Sequence, residues 1–209
     1  MNFSILHAVP VAEIKLAAII ACFLIGVTRW ARQDLRKGLV VYVLGCGAGW
    51  LSQLALGAEM NRYTPNITLY ASYVSVAVIL AWGTGLSMMW AGQFIVARWL
   101  RRGPGLAMFL LAAVPVMTIL ESIGSNVIRM KLHNYHQYAP LMPQLNSMHA
   151  PVWLFVYYGV CAVLFYGALK ALRINGGDWR AARWAGRSQA MAQPNPAPEA
   201  CEEVVAPLR

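Results

Sequence analysis

Glu121 is the residue whose position most invites chemistry. It lies in Thr118-Ile119-Leu120-Glu121-Ser122-Ile123-Gly124-Ser125-Asn126, well inside a long apolar run. An ionised carboxylate in a membrane helix costs about 2.5–3.5 kcal/mol on insertion scales, so such residues face the interior of a bundle and have a function there. A carboxyl group held among apolar walls resists ionisation and keeps its proton near neutral pH, which makes it a general acid. Helical spacing of three and four residues places Thr118, Glu121, Ser122, Ser125 and Arg129 on one polar stripe, which His133 and His136 extend if the helix continues.

The other acids sort by position. Asp34, Asp178, Glu199, Glu202 and Glu203 belong to loop or tail, Glu13 stands beside Lys15 at the start of the first apolar run, and Glu59 closes the second run. Glu59 and Glu121 therefore share one side of the membrane with Asn61, Arg62, Tyr63, Asn134, Tyr135, Tyr138, Asn146 and His149. Aromatic residues complete this group: Trp50, Trp82, Trp90, Tyr73, Tyr157 and Tyr158 fall within runs rather than at their edges, and aromatic faces attract cations by about 0.5–2 kcal/mol. Lipid-facing packing is the competing use of each one taken singly. The prolines of Tyr138-Ala139-Pro140-Leu141-Met142-Pro143 and of His149-Ala150-Pro151 suit an ordered cap over a pocket mouth, although Pro151 can equally start the last helix.

Histidine and cysteine chemistry is less well provided for. His133 and His136 stand three residues apart and, with His149 across a loop, could hold one metal through imidazole nitrogens; hydrogen bonding to loop backbone is the competing use. Cys22, Cys46, Cys161 and Cys201 show no C-x-x-C or zinc-like spacing, which argues against thiol-disulfide exchange and against a cysteine-based metal site.

The elements that must position these groups follow from composition. The 209 residues are 59% hydrophobic and only 12% charged, about half the charge of a soluble domain, which excludes a water-soluble enzyme. Runs near 11–30, 39–57, 70–97, 105–127 and 152–172 can each cross a hydrocarbon core roughly 30 Å thick. The expected fold is an all-α polytopic membrane bundle of about five transmembrane helices over 1–174, followed by a basic juxtamembrane segment and disordered tail over 175–209. The third run reads as one tilted helix despite Gly83-Thr84-Gly85. Gly45, Gly47 and Gly49 read as a small-residue surface for close packing.

Charge gives the orientation. The net charge is +9, and its basic residues concentrate at Arg29, Arg32, Arg36 and Lys37, at Arg98, Arg101 and Arg102, and at Lys170, Arg173, Arg180, Arg183 and Arg187. The positive-inside rule then puts the N-terminus outside and the C-terminus in the cytoplasm of a multi-pass cell-membrane protein. That use of the charge calls for membrane lipids as partners and for no nucleic acid. Trp30, Trp99 and Trp153 at run edges suit the headgroup zone.

One resemblance joins these observations. Glu121-x-x-Gly124-Ser125-Asn126, then Tyr135-x-x-Tyr138, Pro140 and Pro143, then Pro151-x-Trp153 resemble the Glu-Gly-Tyr-Pro-Trp pattern of the small integral-membrane carotenoid and terpenoid proteins. These comprise heterodimeric-type lycopene cyclases, carotenoid hydratases and membrane-bound meroterpenoid cyclases. The resemblance covers roughly residues 115–155. It implies proton-initiated cyclisation or hydration of a lipid-soluble isoprenoid, without metal or redox cofactor, with Glu121 as acid, Asn126 and Tyr138 as orienting groups and Trp153 as a wall. Glu59 corresponds by location alone, as second carboxylate. With the aromatics within the runs and the polar groups of the same side added on position alone, the candidate substrate-binding set is Trp50, Tyr73, Trp82, Trp90, Ser125, Asn126, Arg129, Tyr138, His149, Trp153 and Tyr157. A histidine-ligated metal or haem redox protein, a small transporter and a structural membrane subunit stand as alternatives, the transporter requiring a homo-oligomer because 209 residues show no inverted repeat.

Overall fold

Within hydrocarbon, every backbone polar group must be satisfied inside its own segment, and the apolar runs accordingly form helices. The computed structural model describes residues 11–62 and 69–174, with backbone only for 11–17 and Glu59. It contains α1 (Val11–Trp30), α2 (Leu35–Leu56), α3 (Val76–Trp99), α4 (Leu106–Ile123) and α5 (Val152–Ala171). The chain is mostly helical, and the segments Leu35–Leu56, Val76–Trp99, Leu106–Ile128 and Val152–Ala171 are long and apolar enough to cross a membrane. In α1 the part with described side chains, Ala18–Trp30, is apolar but shorter. The readings made on the tail, 175–209, lie outside the described residues.

Local signals set the helix ends. Asp34 caps α2, its side chain accepting the Arg36 N–H at 2.9 Å, and Gly57 ends that helix at φ 84°. Pro151 stands immediately before α5 with extended backbone, where its missing N–H costs nothing. Two boundaries differ from the sequence reading. Residues 70–75 are not the start of the third helix: Tyr70–Ala71 and Val74–Ser75 pair antiparallel as strands β1 and β2 around Ser72 at φ 62°. Tyrosines and a valine prefer such a pleat, and Ser75 then takes the position before α3. The fourth helix does not carry on to His133 and His136. It widens into a π turn over Gly124–Ile128 and stops at Arg129, which is left-handed at φ 61°.

Burial of apolar surface drives little association between helices in lipid, so close packing must hold the bundle together. At the crossing of α2 and α3, a methyl group on Gly45 would lie 3.1 Å from Gly83 Cα, and one on Gly49 would collide with the Trp82 side chain. Gly47, on the far face, has nothing within 4 Å. Gly83 and Gly85 therefore leave α3 unbroken and bring its neighbours close, Gly85 facing Leu120 on α4. Helix α3 packs against α1, α2 and α4, and Val41, Trp90, Phe109 and Leu169 are fully buried. Leu39, Val43 and Leu51 on α2, Leu111 and Val114 on α4, and Val156, Val160 and Leu164 on α5 all point outward. A surface this apolar suits lipid rather than water.

The two ends of the bundle differ. Arg98 Nη2 donates to the Trp30 carbonyl at 2.6 Å, joining the ends of α1 and α3 on the arginine-rich side. At the opposite end the His133 N–H donates to the Arg62 carbonyl at 2.8 Å, tying the connection after α2 to the one after α4.

Candidate functional site

A cavity of about 510 Å³ lies among α1, α3, α4 and α5, beneath the connection 129–151. This volume is within the range of small-molecule sites. Its walls are mostly apolar: Ile20, Val78, Leu86, Met89, Leu110, Met117 and Leu154 are among them. Glu121 opens into it from α4, half-buried, between turns carrying Met117 and Ser125. Among the described residues no hydrogen bond or ion pair holds the Glu121 carboxyl group.

The polar stripe anticipated on this helix divides in two. Thr118 Oγ1 donates back to the Val114 carbonyl at 2.9 Å, Ser122 Oγ to Thr118 at 2.7 Å, and Asn126 Nδ2 to Ser122 at 2.9 Å. These three satisfy themselves on their own backbone along a face beside the cavity. Glu121 and Ser125, with Met117 and Ile128, form the face that lines it. The π turn follows directly, with the Arg129 and Met130 N–H groups both donating to the Gly124 carbonyl. Such turns insert one extra residue per bulge and often occur at functional sites. Here the turn leaves Gly124, Ser125 and Ile128 on the wall.

Aromatic groups stand opposite. Trp82 from α3 and Tyr158 from α5 meet edge to face, ring centroids 5.1 Å apart, and Phe155 packs edge-on against Tyr158 at 6.4 Å. All three line the cavity. The connection supplies the roof through Leu141, Met142, Met148 and His149. A relay of amides holds it down. Asn126 Nδ2 donates to the Leu145 carbonyl at 2.9 Å, and its Oδ1 accepts from Asn146 Nδ2 at 3.2 Å. Asn146 Oδ1 lies 2.8 Å from His149 Nε2, and His149 Nδ1 lies 3.2 Å from the Tyr138 carbonyl. The Tyr135 ring stands edge-on to His149 at 5.7 Å, and Lys131 Nζ lies 4.6 Å from the centre of that ring.

Of the residues expected at the site, Glu121, Trp82, Ser125 and His149 line the cavity. Others are nearby with structural tasks: Asn126 fastens the roof, and Tyr138 contributes its carbonyl to His149 and its hydroxyl to Asn134 Nδ2 at 3.4 Å. The rest lie elsewhere. Trp90 is fully buried in the core against Phe94 and does not line the cavity. Tyr73 and Tyr157 donate their hydroxyls to the carbonyls of Leu54 and Ser52, bracing the end of α2. Trp50 points outward, Trp153 is an exposed ring at the start of α5, where a headgroup anchor belongs, and Arg129 is exposed where the π turn ends. The backbone of Glu59 forms a short turn with Met60 and Asn61, and its side chain lies outside the described residues. His133, His136 and His149 do not gather: no metal-holding group of His, Cys, Asp or Glu occurs among the described residues. His133 and His136 left the helix with the π turn, and His149 is engaged by Asn146 and Tyr138.

Lys131 and Phe155 belong to the lining without having been singled out by sequence, and Tyr135, named in the polar loop group and in the resemblance, lines it as well. Phe155 had a usable signal, three residues before Tyr158 on the same helix face. No protein-family model, curated protein or solved structure matches the chain.

Proposed function

We propose that the chain is a multi-pass cell-membrane enzyme that cyclises or hydrates an isoprenoid, with Glu121 delivering the first proton. Its five helices would all cross the bilayer, N-terminus outside and C-terminus cytoplasmic, as the concentration of arginine at one end of the bundle favours. The observation that carries the reading is a single carboxyl group opening, without a partner among the described residues, onto an apolar cavity with an aromatic wall.

The chemistry would run on those groups. Glu121 protonates an alkene or epoxide of the bound chain, giving a carbocation and a carboxylate. The ring faces of Trp82 and Tyr158 stabilise the cation, and apolar walls keep water from quenching it early. In cyclisation an internal double bond attacks the cation, and loss of a proton to the Glu121 carboxylate restores the acid. In hydration a water molecule adds instead, and its surplus proton returns to the same carboxylate. Either route closes without a second acid and without any net oxidation. Helix α2 contributes nothing to the lining, so its role in this reading is to brace Trp82 through Gly49.

The test is to incubate membranes containing the protein with linear, epoxidised and aryl-linked prenyl compounds and to analyse products by mass. A product of unchanged mass means cyclisation, and a gain of one water means hydration. No conversion of any member of the panel would overturn the proposal.

A further inference from the structure

Val114 belongs to two surfaces at once. It lines the cavity, yet it is 61% exposed on the outer face of α4. A side chain can do both only at an edge where the cavity meets the surroundings of the bundle. Across from it, α5 supplies Gly159, which also lines the cavity and on which a methyl group would meet nothing within 4 Å. Towards the arginine-rich end the two helices are closed by Phe109 and Tyr166, ring centroids 5.4 Å apart. Towards the roof they are closed by the connection, where Thr118 Oγ1 lies 3.8 Å from Met142 Sδ and Leu141 is exposed. Val114 is five residues from Phe109 and Gly159 seven from Tyr166, which puts both about 8–10 Å above the ring pair at the helical rise. Both therefore stand between the two closures.

We propose that the cavity is loaded sideways from the bilayer, through an opening between α4 and α5 rimmed by Val114 and Gly159, and that Gly159 keeps this opening wide enough for a hydrocarbon chain. The proposal rests on the isoprenoid reading for the identity of the chain, and adds its source, its route and a residue that controls its passage. The lining at this level, Val114, Met117, Gly159 and Ala162, is apolar. A charged or hydrogen-bonding group passing it would give up its solvation and find no partner there. The part of the ligand that enters is therefore hydrocarbon, as in a slender prenyl compound dissolved in the membrane. Val114 and Glu121 are seven residues apart in α4 and both line the cavity. That spacing is about 10 Å along one helix face, so a chain passing the rim reaches the carboxyl group without crossing the roof.

The experiment uses the full chain in nanodiscs of phosphatidylcholine, with a fluorescent conjugated-polyene analogue of farnesol as probe. Energy transfer from tryptophan follows its binding, counted as the part that unlabelled farnesol displaces. A narrowed entrance delays entry and exit alike, so Gly159→Phe should slow association and dissociation by at least about tenfold each while the affinity stays within about threefold. The retained affinity shows that the variant is folded. Gly167→Phe makes the same change on the exposed face of the same helix, outside the lining, and should leave both rates as they were. Val114→Phe narrows the rim from α4 and should slow both rates in the same sense, which keeps the test open if Gly159→Phe does not fold. Unchanged rates in the rim variants, weakened affinity with dissociation unslowed, or no displaceable binding to the original chain would each overturn the proposal. The two readings fail separately. Rim-dependent rates without conversion of any prenyl compound remove the cyclase reading alone, and conversion with rim-independent rates removes this proposal alone.

Discussion

Two glycines on α2, two residues apart, provide a stringent test of the packing beneath the site. Gly49→Ala drives a methyl group into the Trp82 side chain, whereas Gly47→Ala places the same methyl where nothing lies within 4 Å. Both substitutions gain the same helix propensity, about 0.8–1 kcal/mol, so their difference isolates the steric cost. The atoms met at Gly49 are Cβ and Cγ of Trp82, the stem of a ring held edge-on by Tyr158, and they cannot swing away as a flexible tip would. Overpacking of this kind costs about 1–3 kcal/mol. Disturbing the aromatic pair adds about 0.5–1.5 kcal/mol. Gly49→Ala should therefore be less stable than Gly47→Ala by about 1.5–4.5 kcal/mol, and Gly47→Ala should equal or exceed the original chain. Reversible unfolding in mixed micelles with increasing dodecyl sulfate reads both. Equal midpoints for the two variants would refute the close α2–α3 crossing and with it the bracing of Trp82.

The remaining expectations concern the cavity and its roof. Asn126→Ala removes donors to two carbonyls and one link of the amide relay, and should destabilise by about 1–3 kcal/mol, with faster proteolysis within 141–149 than at the arginine-rich end. Trp82→Ala should widen the wall and, if the cyclase reading holds, shift products towards early-quenched or hydrated species more than it lowers total turnover, as read by chromatography. Trp50→Leu and Trp153→Leu should leave conversion unchanged in the same assay, because both rings face away from the cavity.

Helix content and order were legible because long apolar runs leave the backbone no other choice in lipid. Of the three glycines read together as a packing surface, Gly45 and Gly49 meet α3 and Gly47 does not, because spacing alone does not tell which of three alternating glycines faces the neighbour. Glu121 could be found because an acid in a span is costly, a signal that survives without contacts. The aromatics had no comparable signal. Trp90 and Trp82 lie eight residues apart on α3, yet one is core and the other wall, a difference set by which helix packs opposite. The π turn was hidden as well. It depends on a backbone hydrogen-bond shift at Gly124, and by ending the helix it took His133 and His136 off the polar stripe. The hairpin at 70–75 was masked by its apolar composition, which satisfies a membrane helix and a short pleat equally.

Glu121→Gln tests the central claim most directly, since the amide keeps the shape of the side chain and removes its transferable proton. Single-turnover conversion should be compared for the original and variant proteins, each shown to fold and to bind a prenyl ligand alike. A general acid contributes about 10²–10⁴-fold, so the account predicts a loss of at least about a hundredfold with stability and binding retained. Conversion by Glu121→Gln at the original rate would contradict it.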